Sequence, residues 1–326
     1  MKKSRNCSWG DTERIVEVYD AFDFAAINAD AVSRARRYIL MADIDVGDEW
    51  WPVGVGDEED NRPFTGLFDG GGHTVTLGGI AGDPECAGLF GLIGEGGTVQ
   101  NLAVRGRISM DSKKPLRLGG IVGALEAGGS VKSCVSSVDI TAASDEFVRV
   151  GGVAGINYGG TISDCRSDGA IRAMGGNGVA GGIVGICKGC SLSPAVVENC
   201  VSQSDLKAGG VAGGIVGRHA CSSVVNCVAL NASVESGVTR GRVVGENFLL
   251  ESIQMINNYG GVPGAWRNDA GGQDGADCGT RPPGFWWRDA STWDIARGEP
   301  WSFDAIWVWD AEEHMPRLTW ETRVVA

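Results

Sequence analysis

The sequence predicts an all-β chain folded as a parallel β-helix of about six coils, closed by a short N-terminal capping helix and a tryptophan-rich C-terminal cap. Three observations carry this. A Gly-apolar-apolar-Gly tetrad starts at Gly88, Gly120, Gly152, Gly182 and Gly214, at spacings of 32, 32, 30 and 32 residues, with a degenerate copy from Arg242 to Gly245. A second motif, such as "VENC" at 197–200, keeps nearly the same period. Its polar position reads Asn101, Ser133, Asp164, Asn199, Asn226 and Asn257, and the next position reads Leu102, Cys134, Cys165, Cys200, Cys227 and Asn258. Finally, each copy holds three short, glycine-punctuated β-type runs, as in "GIVGAL", "SVKSCVSS" and "VDITAA". One such coil cannot bury its own apolar face, so stacked copies must supply a continuous core.

In chain order, residues 1–60 read as an N-terminal cap, 61–259 as the repeats and 260–326 as loop plus C-terminal cap. Near the N-terminus, Phe22, Phe24, Ala25, Ile27 and Ala31 fall at broadly helical spacing, which suits a helix covering the open end of the solenoid. Within each repeat, the apolar pair Val131 and Cys134 is three apart, as are Val197 and Cys200. A strand cannot point i and i+3 to one side, so a corner lies between them at the polar residue. Asn and Asp tolerate left-handed backbone and suit that bend. The ladder Asn101, Ser133, Asp164, Asn199, Asn226 and Asn257 then stacks at one corner, and Cys134, Cys165, Cys200 and Cys227 pack inward as small hydrophobes where the first repeat has Leu102. Stacking at about 4.8 Å is wide for a disulfide, and a straight column does not surround a metal ion.

After the repeats, residues 260–284 are rich in Gly, Asp and Pro and read as loop. Seven tryptophans follow: Trp286, Trp287, Trp293, Trp301, Trp307, Trp309 and Trp320. They read as the packed cap or, at Trp307 and Trp309 on one strand face, as a glycan-stacking platform.

The stretches "YILMADIDVGDEWWPVGVG", "RPFTGLFDGGGHTVTLGGI" and "CAGLFGLIGEGGTVQNLAVRGRI", followed by the repeated "GGIVG", resemble the GLUG-motif family of bacterial surface proteins over roughly residues 36–245. The closing tryptophan-rich segment is similar to the tail such proteins carry. The resemblance implies a right-handed β-helix in secreted or cell-surface proteins, including adhesins and the non-catalytic regions of immunoglobulin A peptidases. It implies no shared catalytic site.

Composition narrows the partners. A net charge of −13 argues against nucleic acid and anionic membranes. No apolar run is long enough to insert into a membrane. The basic start "MKKSR" lacks an apolar h-region, so no signal peptide is read in the chain as given. An extracellular or surface location therefore rests on the resemblance, with a cytosolic one left open. A monomer, or a part of a longer chain, is expected.

Among chemistry-bearing residues, Asp69 and His73 in "FDGGGHTV" read as a tight glycine turn. "GGNG" at 175–178 lacks the residues of a phosphate loop. Cys187 and Cys190 of "CKGC", with His219 and Cys221 of "RHAC", follow successive tetrads and would adjoin in stacked loops. They read as reduced thiols, as a cross-coil disulfide such as Cys190–Cys221, or as a zinc set; otherwise no cofactor is expected. No carboxylate pair stands out in the spacing. The expected function is a non-enzymatic module for adhesion or rigid spacing that meets a host or environmental surface ligand, a glycan among them. The alternative is a carbohydrate-active β-helix that binds or cleaves polysaccharide.

Overall fold

The computed structural model describes residues 14–57, 60–249, 254–256, 258–260, 301, 303 and 305–321. Its body is a parallel β-solenoid of about seven turns, one more than the spacings suggest. The extra turn comes from the N-terminal region, whose strands carry neither marker. Each central coil has four strands rather than three. One coil runs Thr98–Gln100, Ala103–Ser112, Leu116–Gly119 and Val122–Glu126; the next runs Ser130–Lys132, Val135–Ser144, Val148–Gly151 and Ala154–Tyr158. The fourth strand arises because the glycine tetrad bends the chain between two strands. Corresponding strands pair in register, Val99 on Val131 and Val131 on Ile162, so like positions form columns. We number the four sheets in the order the chain meets them within a coil.

The corner between the first and second sheets forms as the i/i+3 phase requires. Asn101, Ser133, Asp164, Asn199 and Asn226 all have φ between 50° and 55°, a left-handed conformation suited to short polar side chains. Asn257 lies outside the described residues.

The tetrad fixes the corner between the third and fourth sheets, and its two glycines are needed for different reasons. A Cβ on Gly120, Gly152 or Gly182 would collide with the hydroxyl of Ser136, Ser167 or Ser202, an inward column standing across the coil. A Cβ on Gly123, Gly155 or Gly185 would instead strike backbone of the third sheet. Between them, Ile121, Val153, Ile183 and Ile215 are fully buried in the common core.

At the N-terminal end the expected helix is broken into Ala21–Ala25, a 3₁₀ turn Ala26–Asn28 and Ala31–Arg34. Asp20 accepts from the amides of Phe22 and Asp23, and Asp30 from that of Ser33, which caps both short helices. Phe24 and Ile27 are fully buried, whereas Phe22 is 82% exposed. The Phe24 ring stacks on Phe68 at 4.8 Å and meets Trp50 and Phe90, filling the first turn with aromatic side chains. Strand Ile15–Val18 precedes the helices and pairs with Arg37–Leu40, so a strand as well as the helices covers this end.

The described C-terminal residues lie along the flank of the coils. Strands Trp307–Asp310 and Met315–Leu318 form an antiparallel hairpin. It packs on Val135, Val201 and Val228, outward residues of the second sheet, as a strap crossing successive coils.

The expected outcome of Gly152→Ala is a loss of about 1–3 kcal/mol in stability, because overpacking meets the Ser167 side chain and Gly182 backbone. Urea unfolding followed by far-UV circular dichroism checks it; an unchanged midpoint would contradict this account of the tetrad.

Candidate binding groove

Alternation places every second residue of the third and fourth sheets outward, and register turns those residues into two facing columns. The third sheet contributes Cys86, Arg117, Arg149, Val179 and Val211. The fourth contributes Leu92, Ala124, Ile156, Ile186, Arg218 and Glu246. Because the tetrad folds the sheets closely, the apolar members of both columns bury one another outside the main core. The result is a groove with an apolar floor.

The groove has two ends of opposite character that share Tyr158. The wider end is a cavity of about 440 Å³ lined by the carboxylates Asp57, Glu85, Glu126 and Glu146, with Arg117 as its cation. Arg117 pairs with Glu85 at 3.1 Å, and both are largely buried. Burial pushes the Cys86 thiol on its floor up to about 11, against the opposing effect of Arg117. The narrower end, about 170 Å³, is lined by Arg149, Lys188 and Arg218 around Ile156, Ile186 and Ala220, with no carboxylate in its lining. Arg149 lies 3.9 Å over the Phe147 ring and donates to the Tyr158 hydroxyl at 3.4 Å. Burial, then the neighbouring positive charges of Arg117 and Arg218, holds its guanidinium below the ordinary value. Arg218 pairs with Glu246 at 2.6 Å, both about one-third exposed.

The residues singled out from the sequence lie elsewhere. The polar corner is a hydrogen-bonded ladder: Asn101 donates to Asp69, Asn199 to Asp164, and Asn226 to Asn199, at 3.2–3.3 Å. Beneath it Cys134, Cys165, Cys200 and Cys227 are fully buried, each thiol donating to the carbonyl two residues earlier. Burial drives the Cys134 and Cys200 thiols well above their usual range. Beyond Cys227 the column passes to Asn258, whose side chain is spent on the backbone of Val224 and Cys227.

The four residues of "CKGC" and "RHAC" do not share a loop. Cys187 and His219 are register partners inside strands, both fully buried and pointing inward, while Cys190 is exposed and Cys221 half-buried. The fourth-sheet strands run further past the tetrad than the spacing suggests, which carries Cys187 and His219 into the core. Burial pushes Cys187 up to about 12, and His219 is held below its usual value for the same reason, with its Nδ1 3.2 Å from Asn247 Oδ1. All eight described cysteines are free thiols, and among the described residues no three acid, Cys or His groups are placed to hold a metal ion.

Asp69 accepts from the Gly71 amide in a turn where Gly71 and Gly72 have positive φ, and His73 meets Asp43 at 3.2 Å. Trp307, read from the sequence either as part of a packed cap or as a stacking surface, is fully buried and donates to Asp164 at 3.2 Å. Trp309 packs in the same apolar cluster, and Trp320 donates to the Ser133 carbonyl at 3.1 Å. Full burial of Trp307 leaves it no ring face for a sugar, while Trp309 and Trp320 are partly buried. Trp286, Trp287 and Trp293 lie outside the described residues. The groove itself escaped the sequence reading: its basic residues are isolated along the chain and meet only through register.

The GLUG motif matches residues 115–141 and 148–172, two successive passages from third-sheet strand through tetrad and corner to second-sheet strand. Two successive copies of the repeat visible in the glycine and cysteine spacings are thus GLUG motifs. An alignment 104 positions long, covering 29% of this chain, is 32% identical to halomucin of Haloquadratum walsbyi and spans 1% of that protein's length. A crystal structure from Bacteroides ovatus, described as a "putative immunoglobulin A1 protease", shares the fold with a TM-score of 0.53, at 17% identity, over 95% of this chain and 94% of that one.

Two outcomes are expected here. Asp164 has its carboxyl raised by burial, against the Trp307 and Asn199 hydrogen bonds, so the folded state favours its protonated form. Stability should fall as pH rises from the ordinary value of 3.8 through the raised one, and the penalty persists above it. Asp164→Asn keeps the left-handed corner and the acceptor for Trp307, so at pH 7 it should raise Tm by roughly 1–3 °C and flatten that pH dependence; calorimetry across pH checks both. Secondly, iodoacetamide mapping of the native protein should modify Cys190 first and leave Cys134, Cys165, Cys200 and Cys227 unmodified until unfolding. Early labelling of the column would contradict its packing.

Proposed function

We propose that this chain is a non-enzymatic β-solenoid module of a cell-surface or secreted protein, binding an extended surface glycan along the groove between its third and fourth sheets. The observation that carries the reading is the groove. It runs across successive coils, offers an apolar floor with Tyr158 at 38% exposure, and is bordered by cations held on strands and by carboxylates at or near strand ends. Such a surface suits repeated contacts with a linear polymer better than enclosure of a small molecule. The GLUG repeats and the partial likeness to halomucin support a surface-protein setting.

The four carboxylates at the wider end favour a second reading, a solenoid that cleaves its glycan by acid–base chemistry. In the binding reading these groups orient sugar hydroxyls, and Glu85 is engaged by Arg117.

A glycan array followed by product analysis of each bound glycan decides between them. Binding without new reducing ends or unsaturated products is the expected result. Turnover abolished by Glu126→Gln or Glu146→Gln would replace the binding module with the enzyme. Silence across the array would leave spacing as the role and overturn the binding reading.

A further inference from the structure

The narrower end of the groove concentrates positive charge on a chain whose net charge is −13. Arg117, Arg149, Lys188 and Arg218 come from four successive coils, one cation per coil. Arg117 stacks directly on Arg149 against the third sheet, and the series then crosses to Lys188 and Arg218 on the fourth. The outer members have carboxylate partners, Glu85 and Glu246. The central pair differs. Arg149 meets the Phe147 ring and the Tyr158 hydroxyl, and Lys188 stands exposed; neither has a carboxylate partner among the described residues. A half-buried guanidinium flanked by like charges costs free energy that an incoming anion would offset.

Coils advance by about 4.8 Å along the solenoid axis, so a bound polymer meets one cation in each such step. In an extended peptide, acidic side chains on one face recur only every ~6.7 Å, which falls out of register with the coils. A chain of acidic sugars carries one anion per ring, and its ring faces suit the floor of Ile156, Ile186 and Ala220 beside Tyr158.

We infer that the groove binds an anionic polysaccharide laid along the solenoid axis, its carboxylate or sulfate groups gripped in turn by Arg149, Lys188 and Arg218. This rests on the glycan-binding reading and names the class of glycan. Charge-assisted hydrogen bonds to planar guanidinium groups supply orientation, and the partly exposed Arg218–Glu246 pair can exchange its carboxylate for one on the ligand.

The test is calorimetric titration of the full chain with polygalacturonate, heparin, neutral dextran and poly-glutamate, at two salt concentrations. Expected is binding of at least one acidic glycan, weakened by higher salt, with dextran and poly-glutamate much weaker. Lys188→Gln and Arg218→Gln lie at exposed or half-exposed positions; each should weaken acidic-glycan binding by about tenfold and lower the salt dependence, with Tm unchanged. Equal binding of dextran, impaired by Tyr158→Ala but not by the charge variants, would overturn the inference while leaving the glycan-binding reading intact. Poly-glutamate binding as tight as either acidic glycan would overturn it in favour of an acidic peptide. No binding to any of the four would overturn it, and the wider array would then decide the reading beneath it.

Discussion

A close approach of backbone to backbone at the glycine tetrads governs the rest of the architecture. At the tetrads of Gly120, Gly152 and Gly182, two glycines let the third and fourth sheets fold against one another while a serine stands on the inner side. Neither requirement depends on unusual dihedrals at Gly120 or Gly152; both are matters of space. The approach has two products. Inside, it completes a core shared by all coils, with the tetrad's own apolar pair fully buried. Outside, it creates the angle between sheets from which the groove is made. Core and candidate binding surface are opposite faces of one steric condition.

Local features and periodic ones were legible in the sequence. The left-handed corner followed from an i/i+3 conflict with strand alternation, and Asn101, Asp164 and Asn199 meet it as that argument requires. The burial of Cys134, Cys165 and Cys200 followed from the same phase. What failed needed knowledge of how far each strand continues. Cys187 and His219 looked like loop residues because the chain was assumed to leave the sheet after the tetrad, yet the strand Val184–Lys188 persists. The seat of the tryptophans was hidden for another reason. Trp307 bonds to a side chain 143 residues away, and no local pattern encodes that meeting.

The groove shows a third limit. Arg117, Arg149, Lys188 and Arg218 carry no motif: the first two share an offset three residues before their tetrads, while Lys188 and Arg218 stand six and four residues after the first glycine of theirs. Only the register of two sheets reveals that they border one surface. In a solenoid, conspicuous repeats specify the scaffold, while the residues that distinguish one scaffold from another stand in its outward columns.

The strap on the flank gives the molecule a property its repeats lack. A stack of similar coils has no intrinsic length, since another copy can enter anywhere and restore every pairing. Here the hairpin holds fixed points on consecutive coils: Trp320 at Ser133, Trp307 at Asp164, Glu321 at Arg166, and Met315 at Gln203. An inserted coil between Ser133 and Gln203 would separate those anchors by one coil rise and pull the hairpin off its sites. The strap thus acts as a ruler. Coil number can drift during evolution outside the measured interval, but within it the count is set by the length of two short strands.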